Sequence, residues 1–285
     1  MRTNPYVAKA MRGRIQGELE AIERNHDVHI LLAIESGSRA WRFPSQDSDY
    51  DVRFVYVHSI ETYLSIEPLR EVIERPIDGA LDISGWDFRK ALRLLVHSNA
   101  VLFEWLTSPE LYRTTEMAER IRSLARETCF LPALIYHYDR MARHAFEEIL
   151  ASDDAIPFKS YCYALRASLA LLWVRHYGEV PPMDLPTLLS RNIVPHEVKE
   201  TINRLVERKA VATEQSTTPR IETLDTFIAG ALTESEAASN CRIERRSCQK
   251  PMRCSLLSLA TNTDQSRFPG STNKPGALQG RHVGD

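Results

Sequence analysis

No apolar run in this chain approaches the roughly 20 residues that a membrane-spanning helix needs. Basic residues between Met1 and Arg14 have no apolar core behind them, so this stretch does not read as a secretion signal. A cytoplasmic protein without a membrane partner is the expectation. Cysteine is scarce and odd in number, with Cys129, Cys162, Cys241, Cys248 and Cys254, two of them in apolar helical patterns. That argues against a disulfide framework and for a reducing compartment. Cys241, Cys248 and Cys254 lack both C-x-x-C spacing and a neighbouring histidine pair, which argues against a zinc site. Net charge is nearly absent too, at −2, so nucleic acid could be met only by local basic patches. No repeat occurs at a solenoid period. What remains is ordinary for a globular protein, 43% apolar and 26% charged, in 285 residues that suffice for two modest domains.

The hydrophobic pattern divides the chain in three. Ala8 to Asn25 reads as an amphipathic helix, and Val28 to Glu35 as a buried strand. Gly37 ends that strand, Ser38 to Phe43 can begin a helical turn, and Pro44 to Ser48 form a polar loop. Tyr50 to Val57 is a second core strand. Glu71 to Ile77 and Ala80 to Trp86 are further strands joined at Asp78-Gly79, a hairpin signal. After Asp87 the period becomes helical: Phe88–Val96, Ala100–Leu106, Glu116–Arg126, Leu131–Leu150, Phe158–His176, His196–Ala212 and Ile221–Leu232, with no further strand. The expected class is α+β: a mixed-sheet core over residues 1–97, an all-helical domain over 98–234, and a disordered tail over 235–285. From Cys241 onward the tail carries eight Lys/Arg against three acids, a net +5 that leaves −7 for the rest.

The chemistry concentrates in the segment from Glu35 to Asp51. A Gly-Ser turn after a strand lets backbone approach a phosphate closely, the helical turn behind it offers free N–H groups, and Ser38 adds a hydroxyl donor. Asp49 and Asp51 are two apart, so on a strand both carboxylates share one face, with Tyr50 and Val52 directed to the core. Adjacent carboxylates repel unless divalent cations neutralise them. Their hard oxygens suit Mg2+, with Mn2+ as the alternative ion. A two-metal site usually takes a third carboxylate, and Asp82, between Leu81 and Ile83, is the candidate. A calcium loop starting at Asp47 fails twice, because Val52 stands where glycine is required and His58 where glutamate is required. On the helix Phe158–His176, Lys159 and Arg166 are seven apart and share a face. Arg39, Trp41 and Arg53 flank the motifs. His137, Tyr138 and Tyr161 read as packing or capping groups, and Trp86, Trp105 and Trp173 as core aromatics.

Gly37-Ser38, then Asp49-Tyr50-Asp51, then Leu81-Asp82-Ile83 resembles the signature of the DNA polymerase beta superfamily of nucleotidyltransferases. Three longer stretches, Glu35-Ser-Gly-Ser-Arg-Ala-Trp41, Asp47-Ser-Asp-Tyr-Asp-Val-Arg-Phe54 and Asp82-Ile-Ser-Gly-Trp-Asp-Phe-Arg-Lys-Ala-Leu92, are similar to the predicted nucleotidyltransferases associated with RNA ligases and RNA repair. The likeness runs through Pro181-Pro182-Met183-Asp184 to Leu224-Asp225-Thr226-Phe227-Ile228. It covers roughly residues 1 to 233, and the tail departs from the family's ending. The resemblance implies transfer of a nucleoside monophosphate from a nucleoside triphosphate such as ATP to an acceptor hydroxyl, an RNA end being the implied acceptor. It further implies two Mg2+ ions at Asp49, Asp51 and Asp82, and nucleotide contacts from Gly37, Ser38, Arg39, Lys159 and Arg166 as a helical domain closes over the cleft. Nucleotidylation of a protein or small molecule, and a non-catalytic nucleotide- or RNA-binding module, are the alternatives.

Overall fold

The structure, a computed structural model, describes residues 6–153 and 155–239, all within a single unit. Helix α1 (Lys9–His26) leads into β1 (Val28–Glu35). The short turn α2 (Gly37–Ala40) follows, then β2 (Tyr50–His58), α3 (Ile60–Tyr63), β3 (Val72–Glu74) and β4 (Leu81–Asp87). Next come α4 (Phe88–Val96), α5 (Ala100–Thr107), β5 (Leu111–Thr114), α6 (Glu116–Thr128) and α7 (Leu131–Ala151). The chain continues through β6 (Ile156–Pro157), α8 (Phe158–Tyr177), α9 (Leu185–Ser190), α10 (His196–Ala210), β7 (Thr217–Thr218) and α11 (Glu222–Ser239). Expected and observed elements coincide within a few residues over most of this length. The expected tail from 235 is corrected at its start, because α11 continues to Ser239; residues 240–285, with Cys241, Cys248 and Cys254, lie outside the described residues.

Among the described residues, five strands form one mixed sheet in the order β3-β4-β2-β1-β5. The pairs β1/β2, β1/β5 and β3/β4 are antiparallel and β2/β4 is parallel. The expectation that no strand follows Asp87 is corrected by β5, the fifth strand of this sheet, and by β6 and β7, which pair antiparallel with each other. Leu111–Thr114 pairs with β1 at Leu32↔Thr114 and Ala33↔Arg113, so the sheet takes an edge from the segment read as all helical. Four residues with both ends exposed carry no visible alternation, so the pattern gave no warning.

Alternation along β2 and β4 sends their residues to two faces. Val52, Phe54, Tyr56, Leu81 and Ile83 pack with Ile15, Leu19 and Ile22 of α1 in one core. Asp51, Arg53, Asp82 and Ser84 take the opposite face. A second core surrounds α8, a helix buried nearly all round and capped by the left-handed Gly178. Ala40, Trp41 and Phe43 belong to that second core, so the chain leaving the Gly37-Ser38 turn is anchored among the helices. Fully burying side chains such as Trp41 and Phe43 contributes about 1.5–3 kcal/mol each, which fixes the turn where the two cores meet.

Candidate active site

The floor of the site is the parallel register of β2 and β4. Asp51 lies directly opposite Asp82, so their carboxylates stand side by side on the solvent-facing end of the sheet. Arg53, two residues further along, joins them: its guanidinium reaches Asp51 Oδ1 at 3.2 Å and Asp82 Oδ2 at 2.7 Å, and donates to the backbone oxygens of Val52 and Asp82. Asp49 is exposed at the rim, while Asp51 and Asp82 are partly buried. Burial raises the pKa of Asp51, and the nearby Asp82 and Asp49 carboxylates raise it further, against the opposing charges of Arg53 and Lys159. Burial and the neighbouring carboxylates together outweigh the two cations at Asp51.

Gly37 closes over Asp51. Its φ of +57° lies in the left-handed region, and a Cβ there would collide with Asp51 Oδ2. The position demands glycine twice, for its backbone angle and for the space above the carboxylate. Ser38 is partly exposed beside it. Beneath the site Glu35 is fully buried, its pKa raised to about 7 by that burial. It accepts the N–H of Asp51 at 3.0 Å and the hydroxyl of Tyr112 from β5, while Ser36 N–H donates to Asp51 O at 2.7 Å. Both sides of the Asp51 peptide are therefore pinned by the end of β1.

The other expected contacts separate into two kinds. Arg39 spends its donors on backbone oxygens of Tyr6, Ser48 and Asp49 and lies over the Tyr50 ring at 3.7 Å, so here it fixes the loop that carries Asp49. Tyr50 is half-buried and packs against the core that holds Val52 and Phe54, as expected. Arg166 is 1% exposed; it pairs with Glu104 at 2.9 Å, donates to Met183 O and stacks on Trp41 at 4.4 Å. In this structure it is enclosed in the helical core. Lys159 is exposed on the first turn of α8, and its charge acts on Asp51. Tyr163, one turn further on, has its ring 5.7 Å from Lys159 Nζ and edge-on to Trp41, and it lies within the electrostatic reach of Asp51. The i, i+4 relation to Lys159 was the available signal for Tyr163. Among the remaining aromatics, Tyr138 donates to Glu104 and Tyr161 to Asp225, Trp105 and Trp173 are buried, and Trp86 is half-buried, stacked on Trp105 at 3.8 Å.

Among the described residues no three His, Cys, Asp or Glu side chains are gathered at metal-binding spacing. The residues nevertheless suit a divalent ion. Asp51 and Asp82 already share one cation, Arg53, and Gly37 leaves open the space at Asp51 Oδ2 that any side chain would fill. Hard oxygen donors with surplus negative charge are what such an ion requires. No described helix is long and apolar enough to cross a membrane.

Comparison with known proteins gives the family. The uncharacterized protein YcgL of Bacillus subtilis (strain 168) is 43% identical over 254 residues, 89% of this chain and 96% of that one. The crystal structure of a nucleotidyltransferase-like protein from Exiguobacterium sibiricum aligns at 12% identity with a TM-score of 0.28, covering 78% of this chain and 73% of that one, a likeness too slight to carry an argument. The sequence profile RlaP, the RNA repair pathway DNA polymerase beta family, matches residues 11–253, past residue 233 where the resemblance was expected to end. Gly37-Ser38, Asp49-x-Asp51 and Asp82 all fall within that match, and the chain belongs to the RNA repair pathway DNA polymerase beta family.

Proposed function

We propose that this protein is a Mg2+-dependent nucleotidyltransferase that moves a nucleoside monophosphate from a nucleoside triphosphate to an acceptor hydroxyl, the acceptor being an RNA end. The observation that carries the reading is the pairing of Asp51 with Asp82 on adjacent parallel strands, under a glycine that admits no side chain. Family membership supports the nucleotidyl chemistry, and its repair context supports RNA as acceptor.

The acceptor oxygen attacks the α-phosphorus, the bond to the bridging oxygen of the β-phosphate breaks, pyrophosphate leaves, and the acceptor proton passes to solvent. Such reactions depend on positioning and charge neutralisation. Asp49, Asp51 and Asp82 would hold two Mg2+, or Mn2+, which supply neutralisation of the phosphates and activation of the attacking hydroxyl. Gly37 gives the triphosphate close approach, and the Ser38 hydroxyl donates to a phosphate oxygen. Lys159, exposed on α8 and acting on Asp51, offers its ammonium to the phosphates from the helical side. Arg53 keeps Asp51 and Asp82 together before the ions arrive. Arg39 and Arg166 are assigned positioning rather than contact, Arg39 for the Asp49 loop and Arg166 for α8.

The test offers each α-labelled nucleoside triphosphate with Mg2+ to the intact protein, with total cellular RNA or the protein itself as acceptor, beside Asp49→Ala/Asp51→Ala. Label should enter RNA only with the carboxylates intact. Label on polypeptide would move the acceptor class. Absence of any carboxylate-dependent transfer or pyrophosphate release would turn the reading to a nucleotide- or RNA-binding module.

A further inference from the structure

Behind the loop that carries Asp49 lies an ionic cluster that the chemistry above does not use, its lysine buried and its carboxylate, Glu214, 32% exposed. Lys209, the penultimate residue of α10, is 2% exposed. Its ammonium donates to Ser45 Oγ at 2.6 Å and to Glu214 Oε1 at 3.1 Å. The same carboxylate oxygen accepts the hydroxyls of Ser45 at 2.7 Å and Ser48 at 2.6 Å. Ser45 and Ser48 are themselves buried, and Ser48 Oγ accepts the Ser45 N–H at 2.9 Å. Backbone bonds reinforce the contact: Gln46 N–H donates to Ala212 O, and Glu214 N–H donates to Asp47 Oδ1.

Every residue of the loop from Ser45 to Ser48 is thus tied to the segment 209–214, more than 160 residues later in the chain. Burying an ammonium is costly unless partners surround it, so an ion pair placed here for stability alone could be replaced, both partners together, by apolar residues at little loss. What the cluster adds is direction. It holds the loop from the helical side while Arg39 holds Ser48 O and Asp49 O from the other, leaving Asp49 between two fixed points.

Resting on the nucleotidyltransferase reading above, we propose that Lys209 and Glu214 are positioning residues for Asp49, through which the helical half of the molecule sets the carboxylate cluster. Asp49 itself is exposed at the rim and lacks the strand pairing that fixes Asp51 and Asp82, so its placement depends on this loop. The edge of the site at Asp49 is then preassembled, because α10 and the segment 211–216 are tied to the loop that carries it.

The experiment uses the full chain and the variants Lys209→Met, Lys209→Met/Glu214→Met and Ser45→Ala/Ser48→Ala. Three readouts are taken: thermal unfolding, kcat and KM for the triphosphate, and hydrogen exchange of the amides from Gln46 to Tyr50. The single lysine variant strands a carboxylate and should be the least stable. The double methionine variant should regain most of that stability yet keep a kcat on the order of tenfold to a hundredfold below the intact protein, with KM changed less than twofold. The serine pair should behave likewise in milder form, and loop amides should exchange at least tenfold faster in both. A double methionine variant with undiminished kcat, or with loop exchange at the rate of the intact protein, overturns the proposal. Asp51→Asn in the same assay separates the two readings: if it matches the intact protein, the nucleotidyltransferase reading falls, and the loop exchange alone then decides whether the clamp exists.

Discussion

Two arginines of this chain meet carboxylates in opposite surroundings. Arg53 lies at the open end of the sheet, 19% exposed, between Asp51 and Asp82. Arg166 lies inside the helical core, 2% exposed in its side chain, against Glu104, the Met183 carbonyl and the Trp41 ring. The bonds have similar lengths, but only the first pair borders solvent. An open arginine between two carboxylates can be displaced or supplemented by an arriving cation; an enclosed one can only be lost. Burial, rather than residue type or spacing, therefore separates an arginine that an arriving ligand can reach from one enclosed in the fold.

The largest expected effect tests the closed pair. Arg166→Met should strand Glu104 in the core and destabilise by about 3–5 kcal/mol, as breaking a buried pair does. Chemical denaturation should show most of that recovered in Arg166→Met/Glu104→Leu. A comparable loss in the double variant would mean that Arg166 matters through its contact with Trp41 instead. The same substitution at the open pair should behave otherwise. Arg53→Met should lower kcat on the order of a hundredfold, while its thermal stability, reduced in EDTA, recovers when millimolar Mg2+ is added. Thermal shift of both methionine variants with and without Mg2+ makes the comparison directly, and a Mg2+ response at Arg166→Met would break it.

Smaller effects sharpen the boundary between the regions. Gly37→Ala should fold, with about 1–2 kcal/mol lost to the left-handed backbone, yet lose nearly all turnover because the new Cβ displaces Asp51 Oδ2. Retained kcat there would contradict the role given to the glycine. Lys159→Ala should raise KM for the triphosphate by roughly tenfold, one charged contact, and leave the melting temperature unchanged. The smallest effect is a pH dependence. Burial raises the pKa of Glu214, but the Ser48 and Ser45 hydroxyls and the Lys209 ammonium outweigh it and hold the carboxyl down at about 2. A depressed carboxyl contributes stability that is present above its ordinary value near 4.5 and is lost as pH falls toward 2. The stability gap between the intact protein and Glu214→Gln should therefore shrink across that interval; a gap independent of pH would show that the charge contributes nothing.

The same contrast explains what could be read in advance. Strands β1, β2 and β4 announced themselves through β-branched and aromatic runs, and the long helices through their period, because those patterns record burial directly. The Asp51–Asp82 pairing was legible because an acid on a core strand asks for a reason. The same reasoning applied to Glu35, at the end of an equally apolar strand, would have found the carboxylate that pins Asp51. Arg166 was grouped with Lys159 by spacing, but α8 is buried on nearly all sides, so sharing a face did not mean sharing an exposure. Strand β5 and the Lys209–Glu214 cluster were out of reach. A four-residue edge strand has no period, and an ion pair linked to serines more than 160 residues away leaves no local trace.

The most direct test of carboxylate-dependent nucleotidyl transfer is the stoichiometry of pyrophosphate released to label incorporated, from α-labelled triphosphates with Mg2+ and cellular RNA. It should be measured for the intact protein, Asp51→Asn and Asp82→Asn. One pyrophosphate per transferred label, lost on the order of a hundredfold to a thousandfold in both variants, is the expected result; transfer undiminished in either variant, or release of inorganic phosphate in place of pyrophosphate, would contradict it.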